Sequence, residues 1–121
     1  MRPVPVLALI LSVGIVGCSS SGGSYGTGPG PGGRTLTPHM ASSAFSPGVD
    51  TVAAGSTVTW TNNDAYGHTV TSAPASSEVF DTPVAGGASF SHTFSTAGTF
   101  SYYCKIHGTP TSGMRGTIVV Q

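Results

Sequence analysis

Thr99-Phe100-Ser101-Tyr102-Tyr103-Cys104 alternates with a period of two. Successive side chains of a strand point to opposite faces, so Phe100, Tyr102 and Cys104 share one face. The same period recurs outward from this stretch. Ser56-Thr57-Val58-Thr59-Trp60-Thr61 sets Val58 and Trp60 against three threonines, and Ala88-Ser89-Phe90-Ser91-His92-Thr93-Phe94 groups Phe90, His92 and Phe94. Gly116-Thr117-Ile118-Val119-Val120 is a β-branched run suited to a strand buried on nearly both faces. Ala53-Ala54-Gly55, Asn62-Asn63-Asp64, Gly86-Gly87 and Ala97-Gly98 are turn signals between these runs. No segment beyond residue 33 sustains a helical period, and the chain has no internal repeat. Short strands at this spacing predict an all-β Greek-key sandwich of about seven to eight strands over residues 34–121.

Composition narrows the function. The chain has 121 residues, 38% hydrophobic and 7% charged, with four basic side chains against four acidic ones. That length suits one domain. Soluble proteins carry about 25% charged residues, so hydroxyl groups must solvate this one: 33 residues are Ser or Thr. Disordered chains are poor in aromatics, whereas all five Phe and the single Trp lie between Phe45 and Phe100. Zero formal charge without a basic run excludes nucleic acid as a partner.

Residues 1–17 have the layout of an export signal: Arg2, an apolar run from Val4 to Val16, then small residues. A helix over that run covers roughly 20 Å, short of the roughly 30 Å hydrocarbon core, so a permanent span is not expected. Ile15-Val16-Gly17-Cys18 resembles the bacterial lipobox, which implies a lipoprotein signal peptide and lipidation of Cys18. The alternative is an ordinary secretory signal with an incidental cysteine. Each buried acyl CH₂ contributes about 0.8 kcal/mol, so two or three chains anchor durably. Residues 19–33 contain seven Gly and four Ser and read as a flexible tether reaching roughly 20–23 Å. Residues 18–33 are therefore expected to be lipidated cysteine and tether. The protein is expected to be exported and held on the periplasmic or extracellular side of a membrane.

The chemistry lies in two segments. Cys104, His107 and Met114 follow Cys-x₂-His-x₆-Met spacing, beginning at a strand end and finishing where the last strand starts. A loop between those strands can fold three side chains toward one point. His68, at the start of another strand, can supply a fourth from the same end. Thiolate, two imidazoles and a thioether form a soft donor set suited to copper. Zinc accepts Cys and His but gains nothing from Met, and Mg²⁺ and Ca²⁺ want oxygen. Taken singly, Cys104 also suits a core position or a disulfide to Cys18, His107 a surface loop, and Met114 a core filler.

These segments resemble the plastocyanin, pseudoazurin and amicyanin group of cupredoxins. Gly-Thr-Phe-Ser-Tyr-Tyr-Cys-x-x-His, followed by Gly-Met-x-Gly-x-Ile-x-Val, is similar to the plastocyanin C-terminus. Asn62-x-Asp64 before His68-Thr69-Val70 resembles the segment carrying the first histidine ligand. The likeness covers nearly all of residues 45–121. It implies a cupredoxin-like domain holding one type 1 copper through His68, Cys104, His107 and Met114. It further implies a weak contact from the Gly67 carbonyl, packing of Asn62 and Asp64 near the site, and an electron path through Tyr103 or the His107 edge. One departure stands out: the loop between His107 and Met114 holds six residues, more than in plastocyanin-like members.

The expected function is a one-electron carrier cycling Cu(II) and Cu(I), not an enzyme and without a small-molecule substrate. It would dock protein redox partners briefly around His107, Tyr66 and Pro110, and a monomer is expected. The rival readings are copper storage, delivery or resistance without electron shuttling, and a metal-free adhesion module. His92 is expected to be packed or at a strand edge, and His39 and Met40 carry no ligand role.

Overall fold

The computed structural model describes residues 35–121. Its ten strands are β1 (Thr35–Leu36), β2 (His39–Ala41), β3 (Ala44–Ser46), β4 (Val49–Val52), β5 (Ser56–Asn62), β6 (His68–Ser72), β7 (Asp81–Val84), β8 (Ser89–Phe94), β9 (Gly98–Gly108) and β10 (Gly113–Val120). No helix occurs among the described residues. One sheet has β8 on one side of β5, with β1 and then β2 along the other side and β3 beyond β2. The second runs β4-β10-β9-β6-β7. The two sheets make the expected all-β sandwich. The count exceeds seven to eight because residues 35–46, which carry no clear alternation, form three strands of two or three residues each.

Alternation decides what each strand buries. Along β5, Val58 and Trp60 are fully covered while Thr57, Thr59 and Thr61 are half exposed. Along β9, Phe100, Tyr102 and Cys104 all face inward. Trp60 occupies the centre, with its ring centroid 5.2 Å from Tyr102, 5.7 Å from Phe90 and 5.8 Å from Phe80. Each such side chain contributes about 1.5–3 kcal/mol by leaving water. β10 departs from expectation. Met114, Gly116, Ile118 and Val120 are buried, whereas Thr117 and Val119 between them are half exposed, so the strand buries one face only. Its β-branched residues serve a central position between β4 and β9, with one side of the sheet open to water.

His92 lies partly covered beside Phe80 and Phe94, its Nε2 3.1 Å from Glu78 Oε2. That is the packed position expected. Residues 1–34, including Cys18 and the Gly/Ser-rich stretch, lie outside the described residues.

Candidate metal centre

Cys104 and His107 do not sit on a loop. β9 continues through both of them to Gly108. The convergence comes from an irregularity in the β9–β10 ladder: Arg115 pairs with Tyr103 and Gly113 with Gly108, so five steps on β9 face two on β10. The surplus makes β9 bulge outward, and bulges re-aim side chains. Cys104 and His107, three apart, thereby turn toward one point, with Met114 between the flanking pairs and buried. The strands close tightly behind them. A Cβ on Gly108 would sit 2.6 Å from the Met114 nitrogen, and one on Gly113, whose φ is +74°, would sit 2.6 Å from the His107 oxygen. Both positions require glycine.

The six residues between His107 and Met114 are absorbed by this closure. Gly108 and Gly113 pair, leaving four residues outside the pair. Thr109 N–H donates to Ser112 O at 2.8 Å, and Thr109 Oγ1 accepts from the amides of Thr111 and Ser112 at 3.3 and 3.1 Å. The extra loop length forms a hydrogen-bonded turn.

His68 opens β6 with its side chain fully covered. Its Nδ1 lies 3.1 Å from His107 Nδ1, and each nitrogen is 3.7 Å from Cys104 Sγ. A point equidistant from the corners of that triangle lies about 2.0 Å from each; bonds from zinc, a comparable ion, run about 2.0–2.1 Å to imidazole and about 2.3 Å to thiolate. The three donors are thus spaced for one first-row metal ion, and the soft thiolate among them suits copper.

Hydrogen bonds prepare the donors. Thr69 N–H donates to Cys104 Sγ at 3.3 Å. Burial pushes the Cys104 thiol up, yet the amides of Thr69 and Ile106 and the two imidazoles outweigh it and bring the pKa down to about 6. A thiolate, the metal-binding form, is therefore favoured at neutral pH. His68 Nε2–H donates to Asp64 Oδ2 at 2.9 Å, and its Nδ1 faces His107 Nδ1 and Cys104 Sγ. The His68 ring, with the Ser42 and Ser43 amides, holds the Asp64 carboxyl down at about 2. Asn62, fully buried, donates to the carbonyls of Tyr66 and Val84 and accepts from the Asp64 amide, fixing the segment before His68.

The expected donors His68, Cys104 and His107 are brought together. Cys104 is a free thiol. Met114 is buried at the bulge, and Gly67 is exposed immediately before β6. Tyr103 faces away from Cys104, half buried and paired with Thr71 and Arg115. Sequence reasoning placed Asp64 near the site but missed its direct bond to His68. The signal was its position four residues before that histidine. The bond between Thr69 and the sulfur is carried by backbone, which no side-chain motif records.

The fold and donor set define a type 1 copper protein of the cupredoxin class. Residues 36–121 match the family described as copper binding proteins, plastocyanin/azurin family, and the chain belongs to that family. It is 40% identical over 86 residues to a plastocyanin of Scenedesmus fuscus, covering 64% of this chain and 86% of that protein. A chloroplastic plastocyanin of Tetradesmus obliquus is 35% identical over 86 residues, covering 64% of this chain and 58% of that protein. Among solved structures, a Cu(I) amicyanin variant superposes with a TM-score of 0.62 at 29% identity, covering 72% of this chain and 82% of that one. A purple cupredoxin from Nitrosopumilus maritimus gives 0.60 at 28%, covering 71% and 99%. A copper nitrite reductase from Thermus scotoductus gives 0.64 at 26%, with coverage of 73% of this chain but 22% of the enzyme. The protein is a copper-binding cupredoxin of the electron-transfer type.

Proposed function

We propose that this protein is a lipid-tethered, monomeric electron carrier that acts without a substrate of its own. The observation that carries the reading is the His68–Cys104–His107 triangle, whose edges of 3.1, 3.7 and 3.7 Å are set by two strands and a bulge, not by a mobile loop. Copper, when bound, supplies the one-electron Cu(II)/Cu(I) couple. Every other task falls to the chain. Cys104, His68 and His107 would hold the ion, and the Met114 thioether would add a weaker fourth contact. Burial of Met114 at the bulge supports that assignment, and the Gly67 carbonyl, just before His68, would be a further weak contact. Donors held by a packed sandwich change little between oxidation states.

His107 is the donor that reaches toward solvent, with Tyr66, 48% exposed, 5.6 Å from it between ring centroids. A redox partner would approach this edge, with Pro110 in the turn that follows β9. Tyr103, covalently adjacent to Cys104 and facing outward, offers a second route. Charge argues for docking through apolar contact. Of four acidic side chains in the described residues, Asp64 faces His68, Asp81 pairs with Lys105, Glu78 faces His92 and Asp50 is half buried. No single-sign patch remains to steer partners, so electron-transfer rates should change little with ionic strength. A steep fall in stopped-flow rates with added salt would refute this docking mode.

The anchor reading rests on the sequence pattern at Cys18. Mass spectrometry of the membrane-extracted chain should find an acylated Cys18 at its N-terminus, and an unmodified secreted chain would contradict it. For the site, residues 34–121 loaded with Cu(II) should show an intense visible thiolate-to-copper band. That band should bleach with reductant, return with oxidant and vanish in Cys104→Ser. Rapid reversible cycling with copper retained supports the carrier. Loss of copper to a mild chelator or acceptor protein would support delivery instead.

A further inference from the structure

The turn joining β2 to β3 is built from Ser42 and Ser43, between the paired residues Ala41 and Ala44. Their φ angles are 53° and 55°, the type I′ arrangement that normally selects Asn or Gly. Two adjacent serines in the left-handed region are unusual, and something must hold them there. Both amides point at one carboxylate: Ser42 N–H donates to Asp64 Oδ1 at 2.8 Å and Ser43 N–H to Asp64 Oδ2 at 3.1 Å. The same Oδ2 accepts His68 Nε2–H at 2.9 Å. Asp64 thus ties a hairpin of one sheet to the first residue of β6 in the other. The His68 side chain is wholly covered, so its Nε2 has Asp64 as partner while Nδ1 faces Cys104 and His107.

We propose that Asp64, clamped by the Ser42–Ser43 turn, is a positioning residue that locks His68 in its Nε2–H form and sets the balance between Cu(II) and Cu(I). The inference rests on the copper-ligand reading of His68. A carboxylate behind a metal-bound imidazole fixes the ring's tautomer and orientation and makes it a stronger donor. A stronger, more negative donor favours the more highly charged ion. Without the carboxylate, the proton is free to move to Nδ1, where it would point into the donor triangle. The turn supplies what a lone aspartate lacks: two amides that hold the carboxylate in place against the pull of water.

The test uses Asp64→Asn, Asp64→Glu and Asp64→Ala, with folding checked by circular dichroism. In metal-free, ¹⁵N-labelled protein, long-range proton–nitrogen spectra should show His68 protonated at Nε2 in the wild type and mixed between nitrogens in Asp64→Ala. In the copper-loaded protein, Asp64→Asn should lower the ratio of Cu(II) to Cu(I) affinity about tenfold, equivalent to a rise of about 59 mV in potential. Asp64→Glu, which keeps the charge, should return most of that shift. If Asp64→Ala does not fold, the contrast between Asn and Glu carries the result. A potential equal to wild type in both Asn and Glu variants overturns the inference, as does an unchanged Nε2–H signal in folded Asp64→Ala. A wild-type protein without the visible copper band would instead defeat the ligand reading, and the metal-free measurement would still decide whether Asp64 fixes the tautomer.

Discussion

The β9–β10 pair behaves differently along its two halves. From Gly98 to Tyr103 the strands match residue for residue, Val120 to Arg115, and one face is buried at Phe100 and Tyr102. From Tyr103 to Gly108, five steps answer two, and Lys105 and Ile106 both lie exposed in succession. The regular half holds the sandwich together, and the irregular half brings two donors of one site onto the same strand. A strand with period two cannot aim residues three apart at a single point. The chain gives up ladder pairing at the place where it gains convergence, and two glycines close the gap.

If that division is right, truncation in the regular half should strike stability and leave site chemistry alone. Ile118, fully buried opposite Phe100, is the sharpest probe. Ile118→Ala should cost about 2–5 kcal/mol through lost burial and the cavity left behind. Denaturant unfolding measures it, and whatever remains folded should keep the wild-type copper spectrum. A changed spectrum would show that the two halves are coupled.

Tyr102 sharpens the same boundary by pH. Burial pushes its phenol up to about 12, against a smaller opposing pull from the side chain of Trp60. The unfolded phenol ionises near 10, so between about pH 10 and 12 the unfolded state binds fewer protons than the folded one. This group's contribution is complete below about pH 10 and lost as pH rises toward 12, about 2–3 kcal/mol in all. Tyr102→Phe should remove that alkaline loss and cost under about 1.5 kcal/mol at neutral pH, the scale of one neutral hydrogen bond. Urea titrations of both proteins from pH 8 to 12 should diverge only at the top of the range. Parallel curves would mean that the phenol ionises without reference to folding.

The irregular half should answer in the opposite way. Gly108→Ala places a methyl group 2.6 Å from the Met114 backbone, so the strands must part. A loss of about 1–3 kcal/mol is expected from overpacking. The larger sign should be spectroscopic: a weakened or shifted copper band as His107 and Met114 separate. An unaltered band would mean that the closure shapes the turn and not the site.

Both halves were legible in the sequence, by different signals. Alternation located β5, β8 and the first part of β9, because a half-buried strand writes its burial as every second residue. The donors were legible by type and spacing, since few roles outside metal binding gather Cys, His and Met within eleven residues. The geometry joining them was not. Extension of β9 through His107 depends on a bulge, and a bulge leaves no compositional trace beyond Gly108 and Gly113. Strands β1 to β3 were missed because two- and three-residue strands show no period, and β2 and β3 are joined by a serine turn whose left-handed conformation leans on Asp64, twenty-one residues beyond Ser43. The one-sided burial of β10 escaped because β-branched residues suit half-buried and fully buried strands alike.

The outer face of β5 and β8 offers the mildest test. Thr57 meets Thr93 at 2.8 Å, Thr59 meets Ser91 at 2.7 Å and Thr61 meets Ser89 at 3.1 Å between hydroxyl oxygens, three rungs across a regular antiparallel pair. Each rung replaces hydrogen bonds that water would otherwise supply, so cross-strand pairing of this kind is worth about 0.2–1 kcal/mol at most. Valine keeps threonine's shape and strand preference, and Thr59→Val should therefore move stability by less than about 0.5 kcal/mol. Solubility should be more sensitive than stability. With charged residues at 7% of the chain, hydroxyls are what keep this face wetted, and replacing all three threonines by valine joins apolar surface into one patch. Sedimentation should then show concentration-dependent association in the triple variant, absent in Thr59→Val alone. If the triple variant stays monomeric, the hydroxyl face is dispensable for solubility as well.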